Sequence, residues 1–383
     1  MSEESHAYGA SVIVVLEGLE AVRKRPGMYI GSVGERGLHH MVFEAAEPAL
    51  GEIIRGTAGR AEITLTADGG VRIADDGTGL PVKHAGHNDG PPLETRLTVL
   101  GAGAAPTDRR SLNSGFTGVG LAVVNALSDR LTAEVRRDGA RWVLEYERGV
   151  AVAVPTHTGP ADGTGTSITF HPDPEIFGAP EFSFDALAEH FRELAFLNRE
   201  LDITLTDDRN PAAPRDIRFR FPGGPRDHIA DQGVPVHPDV IGFEREYAEM
   251  GGTVEVALRW CDSREERVAS YANSRPTNGG GTHELGFRDG LATAIIVYAR
   301  EQQLLAPSDP DFTPIQLGAG LRAVVSVKLD HPAFEGSVRD RLGTGPVRAC
   351  VAEAVRKHLA DWLRTNPAQA AAVLARISST TRH

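Results

Sequence analysis

The sequence predicts an α+β chain built as two mixed α/β domains, 1–222 and 223–383. At 383 residues it is long enough for two or three hydrophobic cores. Segments with strand alternation and segments with helical spacing interleave along its length. The pattern stops at Pro222-Gly223-Gly224-Pro225 and then restarts.

From the N-terminus, Val12 to Val22 is apolar at helical spacing and closes at Pro26-Gly27. A second helix is expected from about Leu38 through Ile54, burying Leu38, Met41, Val42, Ala45 and Ala49. Ala61 to Leu65 and Val71 to Ala74 alternate as strands around Asp68-Gly69-Gly70, a hairpin signal. Leu100 to Asn113 has no periodicity and reads as a mobile loop or lid. Leu131 to Val135, Arg141 to Tyr146 and Thr166 to Phe170 add strands. Phe184 to Leu197 reads as a helix capped by Ser183, and Asp202 to Thr206 as a further strand. Beyond the break come a strand at Thr253 to Trp260, a helix at Glu284 to Glu301 and a strand at Arg322 to Leu329. A long amphipathic helix follows at Val347 to Leu363, with Val351, Val355, Leu359 and Trp362 on one face. The alanine-rich stretch from Ala368 to Ala375 continues as helix.

A net charge of -12 argues against a broad electrostatic grip on nucleic acid by this chain alone. The basic clusters Arg23-Lys24-Arg25 and Arg136-Arg137 read as solvated faces or ion-pair partners. No apolar run approaches membrane-spanning length, and the acidic start Met1-Ser2-Glu3-Glu4-Ser5 does not read as a secretory signal. The two cysteines, Cys261 and Cys350, fit a reduced protein. A cytoplasmic location with no membrane partner is expected.

Three stretches carry chemistry. Gly115-Phe116-Thr117-Gly118-Val119-Gly120 runs into the apolar stretch Leu121 to Leu127. Glycines at that spacing let backbone N–H groups approach an anion, with the positive end of a helix behind them. In His39-His40-Met41-Val42-Phe43-Glu44, His40 and Glu44 are four apart and share a helix face. A carboxylate steadied by an imidazole suits the activation of water, and a surface His/Glu pair is the plainer alternative. Asp75-Asp76-Gly77-Thr78-Gly79-Leu80-Pro81 follows a strand, where a carboxylate can accept from an exocyclic amine and the glycines admit a flat ring. Alone, that stretch is also an ordinary turn.

Taken in order, the three resemble the GHKL ATP-binding fold, and specifically the ATPase region of the gyrase B family of type IIA DNA topoisomerases. Further stretches join the match. They are Val22-Arg23-Lys24-Arg25-Pro26-Gly27-Met28-Tyr29-Ile30-Gly31, Val123-Val124-Asn125-Ala126-Leu127-Ser128, Gly165-Thr166, Phe196-Leu197-Asn198 and Gly280-Gly281-Thr282-His283. The resemblance covers nearly the whole chain. It implies a Bergerat-type ATP-binding α/β sandwich followed by a transducer domain of ribosomal-protein-S5-like α/β fold. It implies ATP as ligand, Asp75 as adenine reader supported by Thr166, and Gly77, Gly79, Gly115, Gly118, Val119 and Gly120 around base and phosphates. Glu44 corresponds to the general base and His40 to its helper. Glu52 and Arg137 flank the pocket, and Arg339 corresponds to a cation that reaches the phosphates from the second domain. Tyr8 and Ile13 correspond to an arm that wraps a second copy, which implies a homodimer. A gyrase-type partner would give access to DNA only indirectly.

The chain departs from the pattern at the phosphate end. Pro48 stands where the family places a magnesium-holding asparagine, so no metal ligand is assigned and a magnesium site is doubtful. Glu47, about 100° around the helix, is not expected to replace it. Ala105 falls near a phosphate lysine, Thr117 replaces a histidine, Thr78 replaces an arginine that would face Glu52, and Ser337 replaces a glutamine. The chain has no acidic cluster after the second domain and no tyrosine-bearing cleavage domain, so it is not expected to break DNA unaided. Its irregular ending, Arg376 to His383, reads as a natural end, and the chain is expected to be a fragment of a longer protein or a free-standing member. The function expected is an ATP-operated dimerisation clamp with impaired hydrolysis. Two alternatives stay open: a pseudo-ATPase acting as regulator or decoy of gyrase, and a repurposed enzyme using Glu44 and His40 as acid and base on another small molecule.

Overall fold

The computed structural model describes residues 18–82, 92–102, 109, 112, 120–179, 181–336 and 339–379. Alternation decides its first sheet. In β1 (Ala61–Leu65) residues 61, 63 and 65 are buried and the two between them half-buried, as a strand with one face on a core requires. The chain turns through Gly69, at φ +84°, and β2 (Val71–Asp75) returns antiparallel with Ala61 opposite Asp75. Seven more strands follow: β3 (Ser128–Arg137), β4 (Ala140–Glu147), β5 (Val150–Ala151), β6 (Thr156–Pro160), β7 (Gly165–Pro172), β8 (Ile203–Asp207) and β9 (Arg215–Phe219). Among the described residues they form a nine-stranded sheet in the order β5-β4-β3-β7-β2-β1-β8-β9, with β6 also on β4. Every pairing is antiparallel except β1 with β8.

Seven helices accompany this sheet among the described residues: α1 (Gly18–Lys24), α2 (Gly27–Ile30), α3 (Glu35–Ile54), α4 (Leu93–Thr98), α5 (Gly120–Ala126), α6 (Pro174–Phe177) and α7 (Phe184–Leu197). Their apolar faces and the strands share one core. The expected stripe on α3 is buried along its whole length, from Leu38 to Ala49. Ser183 caps α7 through its hydroxyl, which accepts from the Ala186 N–H. Arg23, from the basic cluster near the start, donates to the Ala126 carbonyl at 2.8 Å and to Asp173 at 2.7 Å. That arginine closes the C-terminal end of α5, where the helix dipole favours a cation.

The glycine-proline break runs directly into a short helix. Pro225 is the first residue of α8 (Pro225–Ala230), a position where its missing N–H costs nothing. The second sheet contains β10 (Ile241–Tyr247), β11 (Gly252–Trp260), β12 (Arg267–Ala272), β13 (Arg275–Pro276) and β14 (Leu321–Leu329), in the order β10-β11-β14-β12-β13. The helices α9 (Thr282–Glu301), α10 (Pro314–Gly318), α11 (Gly345–Thr365) and α12 (Pro367–Ser379) belong to this half, and β15 (Phe334–Glu335) pairs with β16 (Arg341–Leu342). Among the described residues no helix is long and apolar enough to cross a membrane. Cys261 and Cys350 are both buried and free.

The end of α7 joins the two sheets. Phe196 and Leu197 pack with Ile229, Ala257, Tyr271 and Val324 in a separate apolar cluster. Asn198, next in sequence, accepts from the Lys328 ammonium on β14 at 3.0 Å and bonds the Ser274 hydroxyl in the turn between β12 and β13. Tyr271 donates to Glu193 at 2.9 Å. Arg109 reaches across to Asp330 through two bonds, at 2.5 and 2.8 Å, and to Glu246 at 2.8 Å. Lys328 is lowered from its usual range by burial, so its acceptor matters to stability. Asn198→Ala, which removes that acceptor, is expected to cost about 2 kcal/mol in a denaturant titration, because a hydrogen bond to a charged group is lost. A cost under about 0.5 kcal/mol would show that the ammonium finds another partner.

Candidate functional site

The floor of the site is the end of β2. Asp75, its last residue, is 7% exposed, and its Oδ1 accepts from the N–H of Gly77 at 2.9 Å and of Thr166 at 3.3 Å. Both bonds end on one oxygen, which leaves Oδ2 for a donor outside the chain. Burial pushes the Asp75 carboxyl up to about 6, with the charges of Glu52 and Asp76 adding to it and the two backbone donors opposing. Thr166, from β7, turns its hydroxyl to accept from the Leu80 N–H at 2.9 Å, so the strand and the loop after β2 hold each other. The loop is confined by glycine. Gly79 has φ +78°, and a Cβ there would stand 2.6 Å from the Arg136 carbonyl. A Cβ on Gly165 would stand 2.3 Å from the Asp75 carbonyl. Arg137, on β3, donates to the Gly79 carbonyl at 2.9 Å.

Glu52 lies on the rim of this floor, one of whose walls is α3. Its partners come from the end of the same helix and from the loop after β2. Arg55 bonds it at 2.5 Å and Thr57 at 2.7 Å, while the Thr78 hydroxyl stands at 3.5 Å. Burial acts to raise Glu52, but these donors outweigh it and hold the carboxyl below its ordinary value. The positive partner expected from the Thr78 position is therefore supplied from the C-terminal end of α3 itself. Asp76 points the other way, accepting from the N–H groups of Gly59 and Arg60.

The second centre is Glu44, 1% exposed in the middle of α3. Its Oε2 accepts from the Gly120 N–H at 2.8 Å, and its Oε1 stands 3.2 Å from His40 Nε2. The i,i+4 spacing thus brings His40 and Glu44 together as expected, in the interior and not on a surface. Behind them, His39 Nε2 accepts from the Ser183 N–H at 2.9 Å, which ties α3 to the start of α7. His190, on α7, stacks on Phe43 with centroids 3.6 Å apart. Burial, then His40 and His39, push its pKa down to about 3, so it stands neutral beside the pair. That imidazole has no sequence signal, because α7 meets α3 only through the fold.

Pro48 lies inside α3, one turn after Glu44, and the helix runs through it. The Glu44 carbonyl gains no N–H from position 48, since proline has none. Glu47, beside it, is half-buried. Its carboxyl is pushed up to about 7 by burial first and by the Glu44 charge second. Among the described residues no group of three His, Cys, Asp or Glu side chains is placed to hold a metal ion.

Gly115, Gly118 and Val119 lie outside the described residues, as do Thr117, Ala105, Ser337 and the arm residues Tyr8 and Ile13; Gly120 is the described end of the glycine loop. Arg339, at φ +56°, lies in the second half within electrostatic reach of Arg275, whose guanidinium is lowered by burial and then by Arg339. No described contact joins it to Asp75 or Glu44.

The raised Glu47 gives a pH signature. Between pH 4.5, its ordinary value, and about 7 the folded chain binds its proton more firmly than the unfolded chain. Stability from this group therefore falls as pH rises through that window. Glu47→Gln, which cannot ionise, is expected to be more stable than wild type by about 2 kcal/mol at pH 8 and to match it near pH 4. Chemical denaturation at both values measures this, and an equal difference at both would contradict it.

Comparison with known proteins places the chain. A family described as DNA gyrase B matches residues 227–383, and one described as histidine kinase-, DNA gyrase B-, and HSP90-like ATPase matches residues 34–176. The chain is 42% identical over 382 residues to the novobiocin-resistant DNA gyrase B protein of Streptomyces niveus, covering 95% of this chain and 56% of that protein. It is 41% identical over 392 residues to the DNA gyrase B protein of Streptomyces coelicolor, covering 97% of this chain and 57% of that one. It thus spans a little over half the length of these relatives. The crystal structure of the 43K ATPase domain of Thermus thermophilus gyrase B, in complex with an aminocoumarin, superposes with a TM-score of 0.77 at 32% identity, covering 96% of this chain and 95% of that chain. The chain therefore belongs to the DNA gyrase B family, with the GHKL ATPase fold followed by a transducer-type domain.

Proposed function

We propose that the chain binds ATP between Asp75 and the glycine loop and works as the nucleotide-operated clamp of a type IIA topoisomerase, with hydrolysis impaired. The observation that carries this reading is the Asp75 carboxylate, locked on one oxygen by Gly77 and Thr166 with the other left for a ring amine. A fixed acceptor beside a glycine-lined floor discriminates a base that donates an amine from one that offers a carbonyl, because the wrong partner leaves a buried acceptor unmet. Glu52, Arg137, Gly77 and Gly79 shape the wall, and the loop ending at Gly120 takes the phosphates. Residues 1–222 are assigned to this nucleotide unit and 223–383 to the transducer. Arg339 would approach the phosphates only through a rearrangement of the second unit.

Glu44 is the base in this reading. Water attacks the terminal phosphorus, the bond to the bridging oxygen breaks to leave ADP, and the water proton passes to Glu44 with His40 orienting the carboxylate. Magnesium assists the corresponding step in the family, and the residues here do not fit its usual seat, since Pro48 offers no ligand atom. Loss of one stabilising group of this kind costs about 10²-fold or more in rate. A second copy is the expected partner through Tyr8 and Ile13, and a gyrase-type partner protein, acting in the cytoplasm, supplies the DNA-cleaving step. A pseudo-ATPase that holds nucleotide without turnover is favoured by the same proline.

Asp75→Asn keeps the acceptor for Gly77 and Thr166 and puts an NH2 group where the ring amine binds. ATP affinity by calorimetry is expected to fall at least about tenfold with little change in Tm. Unchanged affinity would remove the adenine reading. Pro48→Asn is expected to raise magnesium-dependent phosphate release by about tenfold or more. No gain, with ATP still bound, would favour the pseudo-ATPase.

A further inference from the structure

Gly120 closes the glycine loop, so its backbone N–H is one of the donors that the loop can offer an anion. In the structure that donor is already taken. The anion holding it is the Glu44 carboxylate, at 2.8 Å. We propose that Glu44 is the pocket's own competitor for the phosphate chain: without nucleotide it holds the Gly120 N–H, and an incoming triphosphate must take that donor from it. The inference rests on the nucleotide reading above and concerns the control of that same site.

The contact is more than a passing one. The carboxylate is 1% exposed, so bulk solvent competes poorly with Gly120 as a donor. His40 Nε2 stands 3.2 Å from the other oxygen, so the side chain is flanked on both oxygens. Charge-assisted bonds to a backbone N–H are stronger than neutral ones, and here the bond forms where solvent screening is weak. Pro48 compounds the effect, because it offers no ligand atom for a cation one turn after Glu44, and Glu47 beside it is a further acid whose carboxyl the Glu44 charge helps to push up. Two anions then contend for one donor with nothing on that turn to neutralise either.

The consequence is selective. A ligand that carries only the base and sugar meets Asp75 and never contends with Glu44. A triphosphate bears the cost of the displacement. Glu44 therefore sets the ratio of ATP to adenosine affinity, in addition to any role in hydrolysis.

The test is calorimetric titration of the whole chain with ATP and with adenosine, in wild type, Glu44→Ala and Glu44→Gln, joined to hydrogen exchange at the Gly120 amide without ligand. Both variants are expected to bind ATP at least about tenfold more tightly than wild type and adenosine equally well. The Gly120 amide is expected to exchange faster in Glu44→Ala than in wild type, with Glu44→Gln between them because its amide oxygen still accepts. Normal adenosine binding with ATP affinity unchanged or weakened in both variants would overturn the inference and leave the nucleotide reading standing. Equal Gly120 exchange in wild type and Glu44→Ala would also overturn it. Binding of neither ligand by any form would remove the nucleotide reading, and this inference with it.

Discussion

A carboxylate withdrawn from water is tolerable only where donors meet it. Glu44 is such a group, and its surroundings follow from that need. The helix α3 must carry it inward, so the stripe from Leu38 to Ala49 is apolar and the helix continues through Pro48. The chain must bring a free N–H to it, so α5 begins at Gly120, whose amide has no earlier carbonyl of its own helix to bond. His40, one turn back on the same helix, places its Nε2 3.2 Å from the other oxygen. Behind that pair, His39 and His190 join α3 to α7, and the end of α7 grips the second sheet through Asn198. A chain of contacts thus runs from the buried carboxylate to Lys328 on β14.

The two ends of the pocket stand on different supports. Asp75 and Thr166 are held by β2 and β7, neighbouring strands whose register pairs Ala74 with Ser167. Glu44, Glu47 and Pro48 are held by α3. Substitution along the helix can change what meets the phosphates without moving the strands that meet the base. On the proposed reading, that separation lets the Asp75 end hold its geometry whatever residue stands at position 48. On the helix side, Glu52 has a cation from the C-terminal end of α3 in Arg55, with the Thr78 hydroxyl at 3.5 Å.

Much of the fold is legible in the sequence because it is local. The period of α3, the Asp68-Gly69-Gly70 hairpin and the Ser183 cap are each decided within a dozen residues or so, and all stand where the pattern puts them. The strands that give no signal are those without alternation of their own. In β10, Glu244-Arg245-Glu246 are charged and exposed, and β12 is diluted by Ala269, Ser270 and Ala272. Their place is set by neighbours, β11 and β14. The Pro222 to Pro225 stretch reads only as a break in the pattern because its glycines hide the N-terminus of α8. At the site, Asp75 with Gly77 and His40 with Glu44 are visible from spacing. Nothing in spacing can show that Glu44 ends on Gly120, 76 residues away, or that His190 stands behind His40.

The central proposal is that Asp75 reads a ring amine at one end of this pocket while position 48, a proline, offers no ligand atom for a metal at the other. Titrating the purified chain with ATP in magnesium and again in excess chelator tests it most directly. The account predicts measurable binding whose affinity is nearly the same in both buffers. Binding that appears only with magnesium, or strengthens by more than about tenfold with it, would contradict the account, because some other group would then be seating the metal.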